Sequence, residues 1–274
     1  MAIITVSRKL ASLGDETSAQ LAKLLGYKFV ERKELEQHLL DKGLSSEKLK
    51  KYDEKRPGFW ASLSRDRDEY FDFLREVVYE IANKGNCIFI GRGGFAILRD
   101  IPSVYAVRLI SNDEVRRKRI MSEFNYSERQ AESLIKESDA NREGFHKCFF
   151  NVEQKEASFY NMVLNTSEIT AEEAATIIKA AFEVTVKEEC EKRGAVRINE
   201  LLQAQAIVNH ISFKLKLPIY FLDAEAKDDS ITLHGVSESP YVVEQALDAT
   251  RSMFPNKQVS SSIKMINEYN NKHY

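Results

Sequence analysis

The opening stretch, Met1 to Gly26, constrains the fold more than any other part of the chain. Ala2-Ile3-Ile4-Thr5-Val6 is a short apolar run of β-type residues, followed by the polar loop Ser7-Arg8-Lys9-Leu10-Ala11-Ser12-Leu13-Gly14. An amphipathic helical pattern begins at Asp15-Glu16-Thr17-Ser18 and runs to Leu25, where Gly26 closes it. Strand, loop and helix in that order gather backbone N–H groups and a positive helix end around one point, the arrangement that holds a phosphate. The usual glycine-rich phosphate loop reads G-x-x-x-x-G-K-[ST]. Aligned on Gly14, this chain has Lys9 for the first glycine, Asp15 for the lysine and Glu16 for the small hydroxyl residue. The scaffold is that of a phosphate binder, but its key cation has become an anion. Ser12 with Asp15 three residues on also reads as a capping box, with Asp15 and Glu16 complementing the helix dipole.

The pattern then repeats. Tyr27–Val30 is a short β-like piece, and the charged stretch from Glu31 to Arg67 reads as helices around a loop at Arg56-Pro57-Gly58. A helix from about Asp68 to Lys84 ends at Gly85 and Asn86, with the glycine where a left-handed cap is usual. Cys87-Ile88-Phe89-Ile90 and Val104–Ile110 are apolar without alternation, as strands buried on both faces should be. Helices are expected near Asp113–Glu123, Ser127–Phe145 and Ala171–Glu189, with a strand at Tyr160–Asn165. Strands alternating with helices predict an α/β fold with a doubly wound parallel sheet, its ligand site at the carboxyl ends of the strands.

Around Gly194 the pattern changes to helix (Ile198–Phe213), strand (Ile219–Asp223), strand (Ile231–Val236), helix (Val242–Met253) and strand (Val259–Ile266). Pro240 sets up the second of these helices. From Glu191 onward ten basic and ten acidic residues balance, so this α+β unit is neutral. Lys187–Arg197 reads as the hinge, continuing the preceding helix.

Composition narrows the function classes. The net charge of −2 gives no electrostatic footprint for nucleic acid. No apolar run reaches the length of a membrane span, and the chain enters its first strand with no signal peptide. Cys87, Cys148 and Cys190 are odd in number and far apart, which points to a reducing cytoplasm rather than a disulfide framework. The five histidines show no ligand spacing, so no structural metal is expected.

Two arginine groups add chemistry. In Gly91-Arg92-Gly93-Gly94 an arginine between glycines at a strand end can lay its guanidinium fork against a phosphate or carboxylate, although a glycine-rich turn with a solvated arginine has the same sequence. Arg116 and Arg119 share one helix face, as do Asp139 and Arg142 on the next helix. Phosphoryl transfer needs such converging cations. A salt-bridged helical hairpin in solvent fits the same residues, with Glu123, Glu128, Glu132 and Glu137 as partners.

Taken together, the Ser-Arg loop, Gly14, Gly91-Arg92-Gly93, the Arg116/Arg119 helix, Asp139-x-x-Arg142 and Tyr160–Thr166 resemble the cytidylate kinase-like family of P-loop nucleoside-monophosphate kinases. The resemblance implies a P-loop kinase-type domain over residues 1–190 and phosphoryl transfer from Mg²⁺-ATP to CMP or a similar acceptor. It implies that Ser7, Arg8, Lys9, Ser12, Gly14 and Thr17 wrap the donor phosphates. Arg32, Gly91, Arg92 and Gly93 would border the acceptor. Arg116, Arg119, Asp139 and Arg142 would form the catalytic lid side. The placement of Arg92, Arg116, Arg119 and Arg142 after the strand ends predicts that these four arginines face one cleft. Residues 197–268 resemble a BON-like domain, a type linked to protein or membrane surfaces, although a generic α+β module closing on the first domain reads nearly as well. A homodimer is possible. The glycine-poor loop and Asp15 also allow an alternative: a weak or inactive pseudokinase that regulates by binding nucleotide, protein or membrane.

Overall fold

In the computed structural model, residues 1–52 and 64–266 are described, and they form two compact units, Met1–Val196 and a second from Arg197 onward. The boundary falls inside one helix. The anticipated loop at Arg56-Pro57-Gly58 lies outside the described residues.

The first unit runs β1 (Ile3–Arg8), α1 (Gly14–Leu25), β2 (Lys28–Val30), α2 (Arg32–Asp41), α3 (Ser46–Tyr52), α4 (Arg65–Asn83) and β3 (Cys87–Ile90). It continues with α5 (Gly94–Ile97), β4 (Val104–Ile110), α6 (Asp113–Phe124), α7 (Glu128–Phe150), β5 (Met162–Asn165) and α8 (Ala171–Thr185). The sheet is five-stranded and parallel throughout, in the order β2-β3-β1-β4-β5. β1 is therefore central, which explains its unbroken apolar run: Ile3, Ile4 and Val6 are all buried. On one face Ile4, Val6, Val107 and Leu109 pack with Leu21 of α1 and Ile178 and Phe182 of α8. On the other, Phe95, Ala106 and Tyr160 form a smaller cluster. The chain leaves β1 toward the β2 edge and β4 toward the β5 edge, so their outgoing loops diverge and open a crevice between them.

Three expectations need correction. The helix expected to run from Ala171 to Glu189 ends at Thr185, because the β-branched run Val184-Thr185-Val186 resists helix and Val186 turns extended to enter the core. A separate helix, α9 (Glu188–Asn209), then carries the segment read as a continuation and hinge. The helix expected to stop at Phe145 runs to Phe150, where Asn151 caps it in the left-handed region. The Ser12 capping box does not form: Leu13 holds the N-cap position at φ 57° with no side-chain cap, and the Ser12 hydroxyl turns inward to the carbonyls of Lys9 and Leu109. Capping boxes do occur at Ser127/Gln130 and Thr170/Glu173.

In the second unit, α9 leads through a π-helical turn at His210–Lys214 into β6 (Tyr220–Lys227), β7 (Ser230–Ser237), α10 (Pro240–Met253) and β8 (Gln258–Met265). β6 and β7 pair antiparallel, and β7 and β8 pair parallel. Ala224, Ala226, Ile231 and Leu233 bury one sheet face against Ile207 on α9, Ile211 in the π-helical turn, and Ala246 and Leu247 on α10. Pro240 opens α10, as its fixed φ favours.

Candidate functional site

The loop between β1 and α1 has its carbonyls taken one after another. Ser12 Oγ donates to the Lys9 carbonyl, Arg116 Nε to that of Leu10 at 2.8 Å, and Arg119 Nη1 to that of Ala11 at 3.1 Å. Thr166 Oγ1 donates to the carbonyl of Ser12 at 3.1 Å. A trans peptide sets each carbonyl opposite the next residue's N–H. Pinning these carbonyls therefore turns the N–H groups of Leu10, Ala11, Ser12 and Leu13 the other way. Among the described residues no backbone carbonyl accepts from them, nor from Gly14, Asp15 or Glu16 at the helix start. The loop is a run of unmatched donors ending on a positive helix terminus, suited to a polyphosphate.

It reaches that shape with almost no glycine. Ala11 and Leu13 sit in the left-handed region at φ 58° and 57°, where a glycine would carry no Cβ penalty. Apolar contacts offset the strain: Leu10 and Ala11 pack on the α6–α7 hairpin against Ile120, Ala131 and Ile135. Gly14 is needed for a different reason, since a Cβ there would lie 2.6 Å from Arg8 Cγ, whose stem crosses it. Leu13→Gly should raise stability by ~1 kcal/mol by removing the left-handed penalty, less the extra freedom of the unfolded chain. Chemical denaturation reads this directly, and a loss of stability would mean the Leu13 side chain outweighs its strain.

A cleft of about 220 Å³ is lined by Arg8, Lys9, Arg108, Asp139, Arg142, Glu143, Gln154 and Lys155. Of the anticipated site residues, Arg8, Lys9, Asp139 and Arg142 thus come together. The expectation that Arg92, Arg116 and Arg119 join Arg142 on one cleft needs correction. Arg116 is fully buried, with Nη2 2.7 Å and Nη1 3.0 Å from the two Asp139 oxygens and Nη1 2.9 Å from Asp113. The hydrogen bond from Arg116 holds the Asp113 carboxyl below its ordinary value. Arg119 also donates to the Thr166 carbonyl at 2.7 Å, and burial lowers its own pKa. Both arginines hold the loop from beneath.

Arg92 is also buried and left-handed (φ 49°), flanked by Gly91 and Gly93 at 71° and 72°. Its Nη2 lies 2.8 Å from Glu36 Oε1, which also accepts from Arg32 Nε at 2.6 Å. Burial would raise the Glu36 carboxyl, but Arg32 and Arg92 overcome it and hold the group below its ordinary value. The two arginines read as acceptor-side residues thus meet on one carboxylate. Thr17 is buried, and its hydroxyl has no hydrogen-bond partner among the described residues. Ser7 is buried at the end of β1 and accepts from Gln154 Nε2 at 2.8 Å. Sequence reading missed Arg108, Gln154 and Lys155. Gln154 and Lys155 lie in an irregular segment without a periodic signal, and Arg108 sits inside an apolar strand.

The chain is similar to solved structures, the first of which shares its fold. A protein from Eubacterium ventriosum aligns over 67% of this chain and 98% of its own, at 17% identity and a TM-score of 0.55. Shikimate kinase from Bacteroides thetaiotaomicron aligns over 66% of this chain and 98% of its own, at 12% identity and a TM-score of 0.43. A Bacillus subtilis protein solved with phosphorylated GDP aligns over 67% and 96%, at 16% identity and a TM-score of 0.40. No protein of curated function matches the chain. At the level of sequence families, residues 3–168, which span β1 to the turn after β5, match throughout, and the chain belongs to the cytidylate kinase-like family.

Proposed function

We propose that the protein transfers the γ-phosphoryl group of ATP to CMP or a similar small phosphate-bearing acceptor. The observation that carries this reading is the run of unmatched N–H groups from Leu10 to Glu16, held open by Arg116 and Arg119 beside a cation-lined cleft. Phosphoryl transfer asks a protein mainly for positioning and charge neutralisation. The loop supplies donors for the polyphosphate, and Arg8, Lys9, Arg142 and Lys155 supply positive charge around the cleft. Arg32 and Arg92 are placed to grip an acceptor by exchanging their hold on Glu36 for its oxyanion. Mg²⁺ bound to a nucleotide keeps most of its waters and asks the protein for only one or two carboxylates. Glu143, which lines the cleft and pairs with Lys155, would hold it by exchanging Lys155 for the ion, and the ion would neutralise phosphate charge.

ADP release should therefore depend on both Mg²⁺-ATP and an acceptor across a panel of CMP, dCMP, UMP and cytidine, with CDP forming in step. ATP binding without acceptor-dependent ADP from any member of the panel would overturn the reading. The second unit's order of helix, two strands, helix and strand supports a BON-like binding module. Among the described residues no helix is long and apolar enough to cross a membrane. Cys87, Cys148 and Cys190 are unpaired, which is compatible with a reducing, cytoplasmic setting, and burial pushes the Cys87 thiol up to about 12, so it is unreactive.

Asp15 bears on donor affinity. It is exposed in the first turn of α1, and no capping box occupies it. Asp15→Lys should tighten ATP binding about tenfold, or ~1.4 kcal/mol, by exchanging repulsion for attraction at the phosphates. Calorimetric titration checks this, and unchanged or weaker binding would show that the carboxylate helps to hold the nucleotide.

A further inference from the structure

Arg108 projects from β4, which lies between β1 and β5 in the sheet, and is only 5% exposed. Its register partner on β1 is Ser7, and register partners in a sheet point to the same face. Nη1 lies 3.4 Å from Ser7 Oγ and 3.4 Å from the Tyr160 hydroxyl, and the guanidinium stands 5.7 Å from the centre of the Tyr160 ring. Neither oxygen is a counter-ion. Ser7 is neutral, and burial raises the Tyr160 pKa, so the phenol keeps its proton. The two carboxylates lining the same cleft are engaged elsewhere, Asp139 by Arg116 and Glu143 by Lys155. Among the described residues no carboxylate lies within ion-pair distance of Arg108, and its other N–H groups find no protein acceptor.

A buried guanidinium without an anion is costly, and an apolar side chain would serve a central strand better. The surroundings are arranged as well as buried. Gln154 Nε2 donates to Ser7 Oγ at 2.8 Å, and the Tyr160 hydroxyl donates to the Gln154 carbonyl at 3.1 Å. Ser7, Gln154 and Tyr160 are each no more than 9% exposed. These bonds fix polar groups around a cation whose remaining donors face the cleft.

We infer that Arg108, ringed by Ser7, Gln154 and Tyr160, is the oxyanion-binding subsite at the floor of the cleft and that it receives a phosphate group. A phosphate fits better than a carboxylate because Arg8, Lys9, Arg108, Arg142 and Lys155 line the cleft against two carboxylates, Asp139 and Glu143, and the net positive charge favours a dianion. The phosphate is either that of the acceptor or the γ-phosphate of the donor. Only this choice of source rests on the transferase reading.

Inorganic phosphate, CMP and ATP titrated into the full chain test this by calorimetry and thermal melting, alongside Arg108→Met and Arg108→Lys. The parent should bind phosphate, and Arg108→Met should weaken it about 10- to 100-fold, the scale of hydrogen bonds to a charged group. Arg108→Met should melt at or above the parent temperature, because it removes an unpaired buried charge. A matching loss for CMP alone assigns the acceptor phosphate, and a loss for ATP alone assigns the donor. The inference is overturned if the parent binds no phosphate, or if Arg108→Met binds all three ligands as the parent does. It is equally overturned if Arg108→Met melts far below the parent while Arg108→Lys restores the melting point, since the arginine would then be structural. Arg108-dependent phosphate binding without acceptor-dependent turnover would retain the subsite and remove the transferase reading. Turnover undiminished in Arg108→Met would do the reverse.

Discussion

Arg116→Ala should lower the stability of the protein by about 3 kcal/mol, the scale of breaking a buried ion pair by removing one partner. The side chain is fully buried and holds Asp139 with two bonds, Asp113 with one and the Leu10 carbonyl with another. Alanine strands all three acceptors and leaves a void the size of an arginine. The estimate sits at the low end of the range because the Asp139 side chain is 35% exposed and can rehydrate. The same change releases the Leu10 carbonyl, so nucleotide affinity should fall even under conditions where the variant stays folded. Urea denaturation measures the first effect and ATP titration at low temperature the second. Arg116→Met combined with Asp139→Leu should recover much of the stability but not the affinity. If the two single changes add without coupling, or if affinity survives in Arg116→Ala, the clamp does not position the loop.

That prediction shows where sequence reading reached its limit. Helical spacing correctly set Arg116 and Arg119 on one face, yet spacing does not say whether a face meets ligand, solvent or the protein's own backbone. The α6–α7 hairpin lies beneath the loop, so the face met the loop carbonyls. The parallel sheet was legible because Ile3-Ile4, Cys87–Ile90 and Val104–Ile110 are apolar without alternation, a pattern only doubly covered strands need. Asp139 and Arg142 were legible as a pair one turn apart. The loop conformation was not, because Ala11 and Leu13 adopt backbone angles that composition assigns to glycine, held there by tertiary contacts. Arg108 was hidden for a related reason: inside Val104–Ile110 a single charge reads as noise until Ser7 and Tyr160 are seen beside it.

Gly93→Ala should cost about 2–4 kcal/mol, by adding a left-handed penalty to an overpacked contact. Gly93 sits at φ 72°, and its carbonyl accepts from Ala96 and Ile97 as α5 begins, so the backbone cannot relax without losing that turn. A Cβ would lie 2.2 Å from Cζ and 2.3 Å from Cε2 of Phe150. The ring cannot easily give way, because Phe71, Phe145 and His146 surround it with centroids 5.3, 5.9 and 6.0 Å distant. The family resemblance set Gly91, Arg92 and Gly93 at the border of the acceptor, whereas the space beside Gly93 is filled by Phe150. The two explanations predict different measurements. If packing governs, Gly93→Ala lowers the urea midpoint, and adding Phe150→Leu recovers part of the loss by removing the clash. If acceptor approach governs, the midpoint stays near that of the parent while the KM for the acceptor rises and that for ATP does not. Stability lost and partly restored by the second change would assign Gly93 to the aromatic core beneath Arg92, making it a residue that positions the acceptor side through Phe150 rather than through the ligand.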